Sequence, residues 1–473
     1  MAAAVSATDL LDAPGREAKK PRVVPQSPDV AKILECGPPT PVSAMDAPDC
    51  ELPRPPQTVV INKDLCDHTI RMLRAHSTSF SRVDKEDEPP LRVLELGLHG
   101  EAVVVPENEE PPYPYMIERP GRRFFHGYRF DQNVVDEQVH STDTLRRVFG
   151  LYDPRADCFF RKTIGYQSKS GEFATLDNGV LCQGLYEALL PAALKVFGEE
   201  QNPAAARVSY IYSLYANLCL PGHIINLHLD VPEFAGVDRS TCPNWLLVCA
   251  HCSGLFADQR VRNVTCVFYP RSAPGGALAA YPAITRDDGA NAVGAAVYKA
   301  AEGFAVALDA DSCFHHSEQS RRLADDEQYS AMAKAGQGVE AFQETPVPEY
   351  PEGSLGLDCV TEDGEVFWVV RDKAGVEIDR HPECDCRFSI SCKFHVFSTD
   401  EEASAYAESK KSQTASALTG SKIIRALVED LQSKGKLPEG LNVESPLYQL
   451  APVLVNEYVK PTGEGSAHLS IIV

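Results

Sequence analysis

The sequence predicts an α+β fold in which a β-rich core, from about residue 208 to residue 400, is flanked by helices. Short apolar runs ended by glycine or proline follow one another from residue 208 to residue 310, with almost no helical period between them. Such runs are typical of a sandwich or barrel. Apolar residues at helical spacing precede this core and also follow it.

The first 56 residues form a separate part of the chain. They contain eleven of the 35 prolines and few aromatic residues. Such a segment buries too little apolar surface to fold, so residues 1–56 are predicted to be a disordered, proline-rich tail. Within it, the run Lys19 to Arg22 could serve as a nuclear import signal or could simply be a solvated basic stretch.

Residues 57–400 are predicted to form one domain, and its N-terminal part contains helices. The segments Asp64 to His76 and Leu185 to Phe197 carry apolar residues at helical spacing. We expect these helices to pack on the outside of the β-rich core.

The core is predicted to contain strands with β-branched and aromatic residues, separated by turns such as Pro221-Gly222 and Gly275-Gly276. A hairpin with a glycine-containing turn is predicted further on. The predicted strands and hairpin are Val208–Leu220, Trp245–Ala250, Asn263–Tyr269, Ala277–Tyr281, Phe304–Leu308 and Glu365–Ile378.

The pattern changes back to helix after Phe397. Thr399 and Asp400 can cap a helix over Glu401 to Lys411, and a second apolar stripe at helical spacing ends at Gly435. Residues 401–473 are therefore predicted to be a C-terminal helical appendage for packing or dimerisation, without catalytic residues.

The motif with the clearest chemical meaning is His228-Leu229-Asp230. One residue separates the imidazole from the carboxylate, so both side chains lie on the same face of a strand. A facial triad of two histidines and one carboxylate needs a second histidine from a later strand, and either His315 or His316 could supply it. Such a triad leaves positions open on a non-haem Fe(II) ion.

Residues 208 to 400 resemble the core of the 2-oxoglutarate and Fe(II)-dependent oxygenases, without indicating a substrate subgroup. The resemblance implies a double-stranded β-helix, or jelly roll, with His228, Asp230 and His315 as iron ligands. Ascorbate could serve as a reductant. The segments that carry the resemblance are His228–Phe234, Trp245–Val248, His251–Phe256, Gly275–Pro282 and Leu308–His315.

In that family an arginine on the last core strand binds the distal carboxylate of 2-oxoglutarate, often with a serine two residues on. Arg387 and Ser389 match this pattern and share one face of a predicted strand. They lie much further beyond His315 than the family's arginine usually does, which implies an insertion at about 318–360. Arg321 and Arg322, close to His315, remain the alternative.

The resemblance implies hydroxylation of a small molecule or a protein side chain, with release of succinate and CO2. A non-catalytic jelly-roll binding or sensing protein and a nucleic-acid-modifying oxygenase are the alternatives. A net charge of −22 and the lack of a basic stripe make nucleic acid an unexpected partner. The oligomeric state is not indicated.

Composition also bears on location and on the cysteines. No apolar run approaches 18 residues, and the start of the chain lacks a signal peptide, so we expect an intracellular protein, cytoplasmic or, with the import signal, nuclear. Cys249 and Cys252 have the spacing of a zinc knuckle, with Cys242, Cys384 and Cys386 as conceivable partners. Reduced, buried thiols are the favoured interpretation.

Overall fold

A computed structural model gives the fold of the chain. All the residues that it describes belong to one compact unit, Ser43–Val473. The proline-rich tail up to residue 54, with the basic run at 19–22, lies outside them. The structure describes residues 55–82, 92–96, 102–104, 115–119, 122–125, 160–167, 171–177, 179–238, 241–242, 244–281, 296–335, 346, 348, 350, 355–410, 418–445 and 447–458.

The described part of the chain combines helices with antiparallel sheets, so the fold is α+β as predicted. The strands are β1 (Gln57–Val60), β2 (Ser81–Arg82), β3 (Arg92–Leu96), β4 (Ala102–Val104), β5 (Tyr115–Arg119), β6 (Arg122–Phe125), β7 (Phe160–Gln167), β8 (Phe173–Thr175), β9 (Tyr210–Cys219), β10 (Ile225–His228), β11 (Glu233–Phe234), β12 (Arg260–Phe268), β13 (Leu278–Tyr281), β14 (Ala296–Tyr298), β15 (Phe304–Leu308), β16 (Phe314–Ser317), β17 (Gly356–Glu362), β18 (Glu365–Arg371), β19 (Glu377–Pro382) and β20 (Arg387–Val396). The helices are α1 (Lys63–Ala75), α2 (Val180–Val196), α3 (Pro203–Val208), α4 (Asn244–Ser253), α5 (Leu323–Lys334), α6 (Asp400–Ser409), α7 (Gly420–Ser433) and α8 (Leu447–Tyr458).

Eight strands pair as a set of nested antiparallel hairpins. The first strand, β9, pairs with the last, β20; inside this pair, β10 pairs with β16, β12 with β15 and β13 with β14. The strands fall into two sheets. The large sheet has the order β1-β15-β12-β20-β9-β7-β2, and the small sheet has the order β10-β16-β13-β14.

The two faces of the large sheet have different roles. On β20, Phe388, Ile390 and Phe394 are buried in the main hydrophobic core, together with Leu185 and Leu189 of α2. Residues that alternate with them face the other way. That second face lies towards the small sheet, because a separate hydrophobic cluster contains residues from this face of the large sheet and from β13 of the small sheet. This cluster contains Val267, Tyr269, Leu278, Ala280, Val306 and Leu308.

The N-terminal helices form where the apolar spacing predicts them. Helix α1 begins after Asn62, whose side chain accepts a hydrogen bond from the Leu65 amide and so caps the helix. Helix α2 contributes buried leucines to the outer face of the large sheet. The two helix predictions, 64–76 and 185–197, are confirmed apart from the earlier start of α2.

The prediction of a strand at Trp245–Ala250 is wrong, because this segment lies in helix α4. Leu246 to Ala250 are all buried, so their sequence has no polar side to reveal a helical period. The helix packs with α7 and α8 in a second hydrophobic core. Partners far along the chain therefore determine the structure of this short apolar run.

The chain between β16 and β20 forms α5 and a three-stranded sheet, β17-β18-β19. Strands β18 and β19 are the predicted hairpin, and β17 pairs with β18 on its other side. Trp368 of β18 is fully buried and packs against Phe388 of β20, with 5.3 Å between the ring centroids. The additional sheet is thus joined to the large sheet.

The two predicted C-terminal helices are found close to their expected positions: α6 spans Asp400–Ser409, against a predicted 401–411, and α7 ends at Ser433, shortly before Gly435. Helix α8 was not predicted separately. The Thr399 side chain caps α6 by accepting a hydrogen bond from the Glu402 amide, and the Thr419 side chain caps α7 by accepting one from the Lys422 amide. Gly435, just after α7, has φ of +65°, a left-handed conformation that ends a helix. No helix in the described ranges is both long and apolar enough to cross a membrane.

Candidate functional site

The two histidines that the sequence singles out lie on adjacent strands. His228 is the last residue of β10, and in the β10·β16 pair it lies directly opposite His315. Residues directly opposite in an antiparallel pair have Cα atoms about 4.5–5.5 Å apart. This register brings the two backbone positions together although they are remote in sequence. The His228 side chain itself lies outside the described residues.

His315 is held in a defined tautomer. Its Nδ1 donates a hydrogen bond to the Cys313 carbonyl at 2.9 Å, so Nε2 is the basic nitrogen. His315 also lies opposite Ala280, a residue of the cluster between the two sheets. Burial lowers the pKa of His315, while the nearby Asp230 carboxylate opposes this shift. Burial thus favours the neutral ring, and the Asp230 carboxylate acts on it electrostatically.

Asp230 follows β10 and is held from two directions. Its amide donates to the Ala310 carbonyl at 2.9 Å, which connects it to the segment before β16. Its Oδ2 atom accepts a hydrogen bond from Thr265 Oγ1 at 2.6 Å and lies 2.9 Å from Lys393 Nζ. The carboxylate is therefore buried, oriented and partly neutralised.

His316, the alternative ligand, is also buried but has a different cross-strand neighbour. It pairs with Ala279, whereas His315 pairs with Ala280, and neighbouring residues on a strand face opposite sides of the sheet. Burial is the main cause that lowers the pKa of His316 to about 4. The two adjacent histidines thus face opposite sides of the small sheet, and the choice of His315 as the ligand stays a prediction.

The donor set fits the ferrous ion implied by the family resemblance. Neutral imidazole and carboxylate are suitable ligands for a non-haem iron. Among the side chains that the structure describes, no three His, Cys, Asp or Glu residues form a group that could hold a metal; the His228 side chain is not among those searched. Of the three candidate ligands, Asp230 and His315 are described with their side chains. For His228, the structure describes only the backbone.

Arg387 is the first residue of β20 and is only 2% exposed. Its Nε donates to the Gly276 carbonyl at 2.7 Å, its Nη1 to Cys219 Sγ at 3.5 Å and its Nη2 to the Tyr269 hydroxyl at 3.3 Å. These contacts use three of its five N–H donors, and none of the three acceptors is a carboxylate. No carboxylate within the described ranges forms an ion pair with this guanidinium.

The backbone next to Arg387 is shaped to receive it. Gly276 has φ of +60°, and a Cβ atom at this position would lie 2.3 Å from Arg387 Cδ. Only glycine fits here without displacing the arginine. Gly276, which the sequence indicated merely as part of a turn, thus also forms a wall of the arginine site.

The two alternative arginines have different surroundings. Arg321 is buried, pairs with Asp326 at 3.4 Å and lies over the Tyr329 ring at 4.1 Å. Arg322 is exposed. Of the three candidates, Arg387 is the buried guanidinium whose described partners leave its charge uncompensated.

A line of polar residues follows the inner face of β20 from Arg387 towards Asp230. It consists of Ser389, Ser391 and Lys393, all with the spacing of two residues that a strand face requires. Ser389 and Ser391 are buried. Lys393 was not among the predicted site residues, although its alternation with Arg387 and Ser389 was visible in the sequence.

A second polar cluster lies close to Asp230. Asp311 is buried, accepts a hydrogen bond from Asn263 Nδ2 at 3.1 Å and lies 3.5 Å from Arg260 Nη2. Burial is the main cause that raises the pKa of Asp311 to about 8, although Arg260 opposes it. Burial thus favours the protonated form of this carboxyl group, and Asp311 was not among the predicted site residues.

The cysteines proposed for a zinc knuckle are divided between distant elements. Cys249 and Cys252 lie on helix α4, and Cys242 shortly precedes it. Cys384 and Cys386 lie in the turn before β20. Burial raises the pKa of Cys249 well above its usual value, so a thiol is strongly favoured over a thiolate there.

No protein-family model matches the chain, and no curated protein matches it either. Among solved structures, an oxidoreductase of the 2OG-Fe(II) oxygenase family from Burkholderia pseudomallei has a TM-score of 0.23 and 10% identity, over 50% of this chain and 66% of that one. This chain thus spans just under two thirds of the Burkholderia protein's length.

Two prolyl 4-hydroxylases show similarity of the same low level. The one from Pseudomonas putida has a TM-score of 0.23 and 11% identity, over 57% of this chain and 89% of that one. The one from Phytophthora capsici has a TM-score of 0.22 and 10% identity, over 84% of this chain and 92% of that one. TM-scores this low support no conclusion about shared fold or activity.

Proposed function

We propose that the chain is an Fe(II)- and 2-oxoglutarate-dependent oxygenase with His228, Asp230 and His315 as metal ligands. The observation that carries this proposal is the β10·β16 register, in which His228 lies directly opposite His315. Asp230, two residues further on, interacts electrostatically with the His315 ring. Convergence of these three positions is what a facial triad requires.

The strand pairing supports a jelly roll as the core. Nested pairing of β9 with β20, β10 with β16, β12 with β15 and β13 with β14 divides the eight strands between two antiparallel sheets. A double-sheet jelly roll has eight strands in this kind of arrangement. The candidate ligands lie at the end of β10 and on β16, in the smaller sheet.

Arg387 is the proposed anchor for the distal carboxylate of 2-oxoglutarate, with Ser389 as a second donor. A buried guanidinium without a carboxylate partner has its electrostatic requirement met when a ligand supplies one. The inner face of β20 then leads from this anchor towards Asp230. When bound, iron would supply redox chemistry in which dioxygen oxidises 2-oxoglutarate to succinate and CO2 and provides the oxygen atom for hydroxylation.

The chain's own contribution is binding and orientation. Cys313 fixes the tautomer of His315, Thr265 and Lys393 orient Asp230, and Gly276 leaves space for Arg387. The proposed substrate is a small molecule or a protein side chain. Nucleic acid is a less suitable substrate because the net charge of −22 repels phosphate.

One observation favours a second candidate, a jelly-roll binding protein without turnover. The Lys393 ammonium already pairs with the Asp230 carboxylate, so this carboxylate has a cation beside it without any metal. A protein in which lysine had replaced iron would show the same contact. The two candidates differ in whether the chain binds Fe(II) and 2-oxoglutarate together.

Anaerobic titration with Fe(II) and 2-oxoglutarate distinguishes these candidates. We expect a weak visible charge-transfer band that requires both reagents. His315→Ala should abolish the band, and His316→Ala, a change in the adjacent buried histidine, should retain it. No band in the wild-type protein, or equal loss in the two variants, would contradict the proposed ligand set. Succinate release in the presence of candidate substrates would then identify the substrate class.

A further inference from the structure

Lys393 is a buried lysine on the inner face of β20, and its ammonium contacts the carboxylate of a proposed metal ligand. Its Nζ lies 2.9 Å from Asp230 Oδ2, and the two side chains are 13% and 7% exposed. Thr265 Oγ1 donates to the same oxygen at 2.6 Å. Two donors therefore converge on one oxygen of the carboxylate.

The two donors come from the middle of the large sheet. Thr265 on β12 and Lys393 on β20 lie directly opposite each other in the strand register. Both strands have neighbours on each side in the sheet, so their backbones are well fixed. Asp230, in contrast, lies after the end of β10. The rigid sheet thus holds the side chain of a residue outside the regular strands.

We propose that Lys393 is a positioning residue that keeps Asp230 Oδ2 away from the metal, so that the carboxylate binds through its other oxygen alone. This inference rests on the proposed function. A carboxylate can bind a metal through one oxygen or through both. A second bound oxygen would occupy a coordination position that a facial triad leaves open for the keto acid or dioxygen.

The positive charge of Lys393 has two opposite consequences. It attracts Oδ2 and so keeps the carboxylate turned, but it also repels a divalent cation bound to the same group. Loss of the charge should therefore strengthen metal binding and weaken 2-oxoglutarate binding. A lysine that merely supported the local structure would weaken both when it was replaced.

The test measures the two affinities separately. Mn(II) replaces iron, and free Mn(II) is followed by electron paramagnetic resonance; 2-oxoglutarate binding to the Mn(II)-loaded protein is followed by calorimetry. For Lys393→Met we expect about tenfold tighter Mn(II) binding and about tenfold weaker 2-oxoglutarate binding. Lys393→Arg, which keeps both charge and donor, should restore values near those of the wild type.

A matched control and a milder variant accompany this test. Lys410 also pairs with carboxylates, those of the half-buried Glu233 and Asp238, but has no described contact with Asp230. Lys410→Met should therefore change neither affinity. Thr265→Val removes the other donor to Oδ2 without changing side-chain size greatly, and we expect shifts of the same signs and smaller size. If Lys393→Met does not fold, Thr265→Val is used to test the positioning role.

The outcomes separate this inference from the proposed function. Wild-type protein that binds no Mn(II) overturns both. Wild-type protein that binds Mn(II) and 2-oxoglutarate, while Lys393→Met weakens both affinities or changes neither, overturns the positioning role alone. If Thr265→Val weakens both affinities or changes neither, this result also contradicts the positioning role.

Discussion

Two buried charged side chains lie four residues apart, just before and at the start of β20, and their surroundings differ. Glu383 is 3% exposed and accepts hydrogen bonds from Arg74 Nε at 2.8 Å and Trp368 Nε1 at 3.3 Å, with Arg271 as a further ion-pair partner. Arg387 is equally buried, but none of its three described partners is a carboxylate.

The difference separates a structural charge from one that suits a ligand. The partners of Glu383 come from α1, from the additional sheet and from the segment after β12, so this carboxylate joins three parts of the fold. A buried charge normally requires such compensation. The described contacts of Arg387 include no carboxylate, which fits the proposal that a ligand supplies the opposite charge. Burial alone would not have distinguished the two residues.

The largest effect on stability is expected at Glu383. Glu383→Gln leaves two arginines beside a neutral amide, and breaking a buried ion pair in this way lowers the free energy of unfolding by about 3–5 kcal/mol. The side chains of Arg74 and Arg271 are 36% and 37% exposed and can regain water, which favours the lower end. Urea denaturation measures the change. Glu377→Gln, in the exposed ion pair with Arg380, is the control and should change little. Equal decreases in the free energy of unfolding for the two variants would contradict a special structural role of the buried Glu383.

Arg387→Met tests the other half of the comparison. We expect 2-oxoglutarate affinity to decrease by about 2–5 kcal/mol, because a buried carboxylate loses its charged partner. Stability without ligand should decrease little or increase, since the variant buries no uncompensated charge. Anaerobic titration and urea denaturation measure the two quantities. Arg321→Met is the control and should leave ligand affinity unchanged; if it weakens binding instead, Arg387 is not the anchor.

Gly276→Ala should disturb the arginine site without removing the arginine. Both Gly275 and Gly276 have positive φ, so alanine at either position is expected to lower stability by about 1–3 kcal/mol. The added Cβ at 276 would meet Arg387, whereas at 275 it would meet the Gln319 backbone. Only Gly276→Ala should therefore also weaken 2-oxoglutarate binding in calorimetry. A similar loss of affinity in both variants would indicate a general distortion of the turn.

Much of the local structure could be predicted because it depends on neighbouring residues. The cap of α6 at Thr399, the start of β20 and the period of two that puts Arg387 and Ser389 on one face were visible in the sequence. The α+β class also followed from these periodicities. The strand prediction is confirmed for His228, whereas Asp230 lies beyond the end of β10, so the shared strand face of these two side chains stays a prediction.

The remaining features depend on contacts between distant residues. The run at Trp245–Ala250 became a helix because α7 and α8, much later in the chain, cover its sides. The contact between Lys393 and Asp230 requires the pairing of β20 with β12 in the large sheet. It also requires that the chain just after β10, a strand of the small sheet, lies near them. The inserted segment also contains β17, which begins at Gly356, inside the expected range of about 318–360, and pairs with the predicted hairpin. A single sequence specifies none of these pairings explicitly.

The smallest expected effect tests whether the anchor extends along β20 beyond Arg387. Ser389→Ala should lower 2-oxoglutarate affinity by about 1 kcal/mol, the usual net contribution of one hydrogen bond, with little change in stability. Ile390→Val, next to it on the opposite face, should lower stability by about 0.5–1.5 kcal/mol and leave affinity unchanged. Calorimetry and urea denaturation on both variants make the comparison. If the two variants change the same quantity, the inner face of β20 is not distinguished from the outer one, and Arg387 alone would define the anchor.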